Sequence, residues 1–183
     1  DYEADTTSMS SAITAATGGS EALNFIHTAI IEVEGDSTWI IDATIKHGVD
    51  RYPLDTFLAD FTLKDGSYPV FEVLRLRDGR HVQEHLNRAK TFIGEPYDVF
   101  FLPDNGAMYC TELVYESYLT PEGTPLFDAT PMNFKAPDGT MPPYWEKLFG
   151  ALGAAVPQGI EGTNPQDMHA SPRLKRTGIS ITD

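Results

Sequence analysis

The residue best suited to covalent chemistry in this chain is Cys110, the only cysteine in the sequence. It lies in the stretch 108–119, just after the loop signal Pro103 to Gly106. Small and apolar residues recur there at helical spacing and predict one buried face of a short amphipathic helix: Leu113, Val114, Ser117 and Tyr118. Because a helix N-terminus stabilises a thiolate, Cys110 is a candidate nucleophile. A buried cysteine that only packs as a small apolar residue is the alternative.

A base for this thiol is offered by a predicted β-hairpin. The segment Phe25–Glu34 is rich in β-forming residues, Gly35-Asp36 is a turn signal, and Trp39–Thr44 reads as the return strand. Alternation along the first strand predicts that one face carries Phe25, His27, Ala29, Ile31 and Val33.

The turn determines whether His27 has an acidic partner. If Gly35-Asp36 is the two-residue loop, His27 faces Thr44 and Ala29 faces Asp42. His27 and Asp42 are then diagonal neighbours on one face, within side-chain reach, whereas a register shift by one would separate them. Such a carboxylate can orient an imidazole as the third member of a catalytic triad. A buried hydrogen-bonded pair without a catalytic task is the alternative.

The remaining elements follow from periodicity and turn signals. We predict a helix within Thr6–Thr17, capped by Thr6 or Ser8 and stopped at Gly18-Gly19. His47-Gly48-Val49 reads as a connection. Further predictions are a helical turn at Pro53–Leu58, a strand at Val70–Leu76, a helix over about 80–93, a turn at Glu95–Asp98 and a strand at Val99–Leu102.

A competing motif lies on the predicted helix near residue 80. His81 to His85 match H-x-x-E-H, the inverted zinc-protease pattern, and two histidines four residues apart can bind one zinc ion. However, the apolar stripe of this helix consists of Val82, Leu86, Ala89 and Ile93, and both histidines lie on its flank. No downstream helix offers a third acidic ligand on an apolar face, so we predict a solvated face and no metal site.

The composition of the chain disfavours several classes of partner. The chain has 183 residues, is 41% hydrophobic and carries a formal net charge of −14. The length favours a single domain over 1–183 with a sizeable core. The acidic excess disfavours nucleic acid and anionic membrane surfaces. No apolar run approaches the roughly 18 residues that indicate a transmembrane helix.

Residues 121–183 form a distinct tail in which proline, glycine and aromatic residues alternate. Tyr144–Leu152 predicts a short helix. The aromatic content argues against disorder, so we predict an ordered tail packed over the core. Two roles stay open for this tail: it forms a lid or wall of a pocket, or it only covers an edge of the core.

Several short sequence blocks follow one another along the chain in a characteristic order. The blocks are Phe25–Ile31, Ile41-Asp42-Ala43, Gly94–Asp98 and Tyr109–Val114, and in the tail Met141–Trp145, Pro157–Gly159 and Gly162–Pro165. Over nearly the whole chain this resembles the YiiX-like branch of the NlpC/P60 cysteine-hydrolase superfamily. The Tyr-Cys-Thr-Glu-Leu-Val block with an upstream Tyr-Asp carries most of the specificity.

The resemblance implies an α+β, circularly permuted papain-like (NlpC/P60) fold, with the cysteine-bearing helix packed against a small antiparallel sheet. It implies Cys110 as nucleophile and His27 as general base. The third polar position falls on Asp42, where we expect a glutamate, one methylene longer, in many relatives. The opening residues 1–5 also depart from the usual first strand of the family.

The mechanism that the resemblance implies needs no cofactor. The thiolate attacks an amide or ester carbonyl, and an acyl-thioester forms that water or another acceptor clears. The oxyanion is held by the backbone N–H of Cys110 and the hydroxyl of Tyr97. Tyr97 and Tyr109 are the predicted oxyanion or substrate-binding residues.

We therefore predict a cysteine hydrolase that cleaves an amide, such as a cell-wall stem peptide or another γ-glutamyl or amino-acid amide. An acyl-lipid hydrolase or acyltransferase similar to the lecithin:retinol acyltransferase group is the alternative, and a non-catalytic binding module is a third. A polar pocket would favour amides and a long apolar pocket lipids. The resemblance favours a periplasmic or secreted location, whereas the oligomeric state is not predicted.

Overall fold

The computed structural model describes residues 8–17 and 23–182. The helices are α1 (Met9–Thr17), α2 (Leu54–Phe61), α3 (Val82–Thr91), α4 (Cys110–Ser117), α5 (Pro143–Leu152) and α6 (Pro165–His169). The strands are β1 (Ile30–Glu34), β2 (Ser37–Thr44), β3 (Gly48–Pro53), β4 (Leu74–Leu76), β5 (Thr130–Pro131), β6 (Glu161–Gly162) and β7 (Leu174–Arg176). This mixture confirms the predicted α+β class. No helix in the described ranges is long and apolar enough to cross a bilayer.

The hairpin β1–β2 has the predicted register. Glu34 pairs with Ser37 across Gly35-Asp36, and the ladder continues to Ile30 opposite Ile41. The first strand is shorter than predicted, because it begins at Ile30 and leaves His27 in the extended segment that precedes it.

Toward the turn, the predicted face of β1 that carries Ile31 and Val33 is not the buried one. Ile31 is 36% exposed and Val33 is 68% exposed, whereas Ile30 is buried. The reason is that the larger core lies on the opposite side of the sheet, where Ile30 packs with residues of α3 and α4.

Helices cover both faces of the three-stranded sheet β1–β2–β3. One face packs on α3 and α4 through a core that includes Ile41, Ala43, Val49, Leu86, Ala89, Leu113 and Val114. The other face packs on α2 around Ile40, Tyr52 and Phe57. Because successive strand residues point to opposite faces, Asp42 lies on the side of Ile40.

Strand β3 was not predicted, although it ties the sheet to the segment after α3. The Val49 N–H donates to the Glu95 carbonyl at 2.8 Å, and the Gly94 N–H donates to the Val49 carbonyl at 2.9 Å. Gly48 has a φ of +67°, and a Cβ there would lie 2.5 Å from the Glu95 oxygen. This close approach therefore requires glycine.

The same segment leads to the helix that carries Cys110. Tyr97 and Met108 form a parallel bridge. The Met108 N–H donates to the Pro96 carbonyl, and the Asp98 N–H donates to the Met108 carbonyl, both at 3.0 Å. The start of α4 is therefore fixed relative to β2 through β3 and this bridge.

Residues 99–102 do not form the predicted strand. The buried Asp98 carboxylate accepts hydrogen bonds from the N–H groups of Phe100 and Leu102, both at 2.8 Å. These bonds fold the chain into a turn in which Phe101 has a φ of +53°. Side-chain hydrogen bonds of an aspartate to nearby backbone compete with strand pairing, which overrides the apolar composition here.

The other predicted elements have mixed outcomes. The helical turn after Pro53 is the full helix α2, and α5 confirms the helix predicted in the tail. Of the predicted strand Val70–Leu76 only β4 forms, paired with β7. In α1, Ser8 Oγ accepts from the Ser11 N–H at 3.2 Å, as a capping residue does. Thr6, Gly18-Gly19 and residues 1–5 lie outside the described residues.

Candidate active site

The structure brings His27 and Asp42 together. Nε2 of His27 lies 2.8 Å from Oδ1 of Asp42. Asp42 is fully buried, and the His27 side chain is 20% exposed. The observed hairpin register makes the two residues diagonal neighbours, even though His27 precedes the strand. An aspartate is thus long enough to reach the imidazole.

Asp42 has a second partner, Tyr52, that sequence reasoning missed. The Tyr52 hydroxyl donates to Oδ2 of Asp42 at 2.8 Å. Burial, and then the charge of Asp42, raise the pKa of Tyr52, so it remains a phenol and a donor. Both carboxylate oxygens are therefore engaged. The β-forming residue types Val49 and Tyr52 after Gly48 were a weak signal for this strand.

Cys110 is the first residue of α4, and it is buried. Burial opposes protonation of His27. The charges of Asp42 and of a Cys110 thiolate, with hydrogen bonds to both side chains, outweigh burial and hold the pKa of His27 well above 6.5. Because Nε2 faces Asp42, Nδ1 is the ring nitrogen left for the thiol. This arrangement can support a thiolate–imidazolium pair.

The two predicted tyrosines lie beside the thiol in different ways. Burial, and then the charges of Cys110 and Asp42, hold the pKa of Tyr97 above its ordinary value, so its hydroxyl is a donor. The Tyr109 hydroxyl accepts from the Thr163 N–H at 3.1 Å, and burial raises the pKa of Tyr109 to about 12. Tyr109 thus fixes the tail against α4, while Tyr97 and the N–H groups of the first helical turn are donors near the sulfur.

Two cavities flank the segment that carries His27. The Cys110 cavity, of about 260 Å³, is lined by Cys110 and by the aromatic residues Tyr97, Phe101, Tyr109, Phe134 and Trp145. The His27 cavity, of about 1230 Å³, is lined by His27 and mainly by apolar residues, among them Phe25, Phe57, Phe61, Val70 and Phe71. Ile26 lines both cavities.

A buried acid lies two residues after Cys110. Oε2 of Glu112 accepts a hydrogen bond from the Tyr109 N–H at 3.3 Å. Burial, reinforced by nearby carboxylates such as Asp98, raises the pKa of Glu112 to about 8. Glu112 is therefore mostly protonated at neutral pH, and it adds little negative charge beside the thiol.

This raised pKa predicts a pH-dependent stability. The folded state binds the Glu112 proton more tightly than the unfolded state, so the free energy of unfolding falls as the pH rises from about 4.5 to about 8. The slope from one proton is at most about 1.4 kcal/mol per pH unit. We expect Glu112→Gln to remove this slope in urea unfolding followed by circular dichroism. Glu84→Gln, at an exposed glutamate of α3, is the control, and parallel parent and Glu112→Gln curves would contradict the assignment.

The His81–His85 motif does not form the solvated face that the sequence predicted. His85 is 4% exposed and stacks on Tyr118 at 4.8 Å, whereas Val82 is 40% exposed. Burial lowers the pKa of His85, so it packs as a neutral ring. His81 remains at the surface near Glu84. Within residues 8–17 and 23–182, no three His, Cys, Asp or Glu side chains converge as metal ligands would.

A histidine just before a small antiparallel sheet, paired with a carboxylate on that sheet and followed along the chain by a helix that begins with cysteine, is the arrangement of a permuted papain-like protein. A family model described as "Permuted papain-like amidase enzyme, YaeF/YiiX, C92 family" matches residues 2–177. The chain belongs to this family.

The chain is also similar to two Escherichia coli proteins. The chain is 24% identical over 155 residues to the uncharacterized protein YiiX of Escherichia coli strain K12, covering 82% of this chain and 72% of that protein. The crystal structure of a relative described as the metalloprotein yiiX, from Escherichia coli O157:H7, superposes with a TM-score of 0.72 at 23% identity. The superposition covers 94% of this chain and 91% of the relative's chain, and it establishes that the two share a fold.

Proposed function

We propose that this protein is a cysteine hydrolase that cleaves an amide bond, with Cys110 as nucleophile, His27 as general base and Asp42 as the orienting carboxylate. The observation that carries the proposal is the 2.8 Å contact between His27 Nε2 and Asp42 Oδ1, together with a Cys110 side chain close enough to raise the pKa of His27. Membership of a family named for papain-like amidases agrees with it.

The proposed reaction proceeds in two halves. His27 takes the thiol proton, the sulfur bonds to the carbonyl carbon, and the oxyanion faces the Cys110 N–H and the Tyr97 hydroxyl. The carbon–nitrogen bond then breaks, and the amine leaves with the proton from His27. Water attacks the thioester while His27 accepts its proton, and the carbon–sulfur bond breaks to release the acid and restore the thiol.

The size of the Cys110 cavity supports a small substrate group. Its volume, about 260 Å³, lies below the roughly 300–1,000 Å³ of pockets for drug-sized ligands. It suits a group of amino-acid size, as in a small peptide, a γ-glutamyl amide or a cell-wall peptide. The relative from Escherichia coli O157:H7 is described as a metalloprotein, but the described side chains of this chain do not converge on a metal site, and we propose no metal step.

A second candidate is favoured by the His27 cavity. Its volume of about 1230 Å³ and its mainly apolar lining would accommodate a long acyl chain, as an acyl-lipid hydrolase or acyltransferase requires. The two candidates share the acyl-thioester at Cys110 and differ in the acyl group that it carries, in the bond cleaved to form it and, for a transferase, in the acceptor.

Mass spectrometry of the acyl-thioester tests the proposal. The protein is incubated with two amides of the same amine, one with an alanyl and one with a palmitoyl acyl group, and quenched in acid. We expect the alanyl mass on the peptide that contains Cys110, and no adduct in Cys110→Ala. A palmitoyl adduct alone would favour the second candidate. An absence of adduct and of turnover with both amides would favour the binding module.

A further inference from the structure

Two buried polar atoms in the wall of the Cys110 cavity lack a partner. Among the described residues, neither Trp145 Nε1 nor Thr163 Oγ1 makes a hydrogen bond. Both residues line the cavity, and they are 2% and 8% exposed. Leaving a buried donor unsatisfied is costly, so native structures rarely keep one without a use.

We propose that the Cys110 cavity binds an uncharged group of amino-acid size that accepts hydrogen bonds from Trp145 Nε1 and the Thr163 hydroxyl. This deepens the proposed function, on which it rests, by assigning two residues that select the substrate. An amide or peptide carbonyl other than the one being cleaved is the group that fits.

Thr163 is fixed relative to Cys110. Its N–H donates to the Tyr109 hydroxyl at 3.1 Å, and its carbonyl accepts from Thr111 Oγ1 at 3.2 Å. Tyr109 and Thr111 are the two sequence neighbours of Cys110. The Thr163 backbone is therefore held against the two neighbours of Cys110, which gives its side chain the rigid support that a specificity-determining contact needs.

The neighbouring strand pair strengthens this placement. Gly162 pairs with Thr130, and a Cβ at Gly162 would lie 2.5 Å from the sulfur of Met132. The absence of a side chain at Gly162 thus lets the wall strand approach closely enough to place Thr163 at the cavity.

The charge of the cavity favours a neutral ligand. None of the described lining residues is a lysine or arginine, so an anionic group would meet no lysine or arginine side chain there. The lining carboxylate of Asp167 already accepts from Nδ2 of Asn164 at 2.7 Å. Donors without a cation suit a carbonyl oxygen better than a carboxylate.

The indole N–H of Trp145 gives a direct readout that does not depend on turnover. The chain has two tryptophans. Trp39, the other one, lies under the Arg51 guanidinium at 4.0 Å and is an internal reference. In ¹⁵N-labelled Cys110→Ala protein titrated with N-acetylalanine amide, we expect a saturable shift of the Trp145 indole signal and none for Trp39. The anion N-acetylalanine should bind at least about tenfold more weakly. Trp39→Phe assigns the two signals.

Thr163→Val separates ligand binding from stability. We expect it to weaken amide binding about five- to tenfold while leaving the thermal midpoint unchanged or raised, because it replaces an unpartnered hydroxyl with a methyl group. Thr62→Val, at an exposed threonine away from the cavity, should leave binding unchanged. Three results would each overturn the inference: a Trp145 signal that does not shift, amide binding by Thr163→Val as tight as by the parent, or tighter binding of the anion than of the amide.

If the amide binds but no acyl-thioester forms, the binding pocket is supported and the proposed hydrolysis fails.

Discussion

Replacement of His27 by alanine is expected to abolish the reactivity of Cys110 below neutral pH. In the parent, the raised pKa of His27 keeps an imidazolium beside the sulfur, and the proposed ion pair predicts alkylation below the pH at which a free thiol reacts. In His27→Ala the iodoacetamide rate should drop about tenfold per pH unit below about pH 8, as for a free thiol. Amide hydrolysis should fall about 10²–10⁴-fold.

The controls for His27→Ala use another histidine and the fold. His81→Ala removes a surface imidazole of α3 and should leave the alkylation profile unchanged. His27→Ala also removes one partner of buried Asp42, so a stability loss of about 1–3 kcal/mol is expected, which thermal unfolding measures. A folded His27→Ala protein with the parent profile would rule out the thiolate–imidazolium pair.

Asp42→Asn is expected to lower kcat/KM by about 10²–10⁴-fold, although it changes a single atom. The Tyr52 hydroxyl donates to the side chain at 42, so it holds the amide oxygen of an asparagine on its own side. The amide NH₂ then faces Nε2 of His27, which has to become the acceptor, and the ring proton moves to Nδ1. In that tautomer Nδ1 cannot accept the thiol proton. Hydrolysis rates at several pH values check this.

A second substitution tests whether Tyr52 sets the orientation of the asparagine. In Asp42→Asn with Tyr52→Phe, the asparagine can rotate and present its oxygen to His27, so we expect part of the lost activity to return, by about tenfold. Tyr52→Phe alone should cost much less than Asp42→Asn. Additive losses in the double variant would show that Tyr52 does not set the orientation at position 42.

Local signals in the sequence were sufficient to predict the hairpin β1–β2 and the helix that begins at Cys110. The two-residue turn at Gly35-Asp36 fixed the register that brings His27 to Asp42, and this register is observed. The helix after the Gly106 loop begins at Cys110 itself. Turn chemistry and side-chain periodicity are short-range properties, so a single sequence carries them.

The features that were missed depend on long-range contacts. Strand β3 is identified as a strand by its pairing with β2 and by the close approach of Gly48 to Glu95. His85 is buried because Tyr118 of another element stacks on it. The bend at Phe101 depends on two hydrogen bonds to Asp98 that compete with strand formation. Composition and periodicity contain little information about such contacts.

The order of the site residues along the chain has a consequence for biosynthesis. Asp42 and Tyr52 lie on neighbouring strands of one antiparallel sheet, His27 lies in the segment that leads into it, and all three precede Cys110. A ribosome therefore releases the base and its supports before the nucleophile, and the pairing of these strands is local in sequence. The sulfur of the nascent polypeptide thus leaves the ribosome after every residue proposed to activate it.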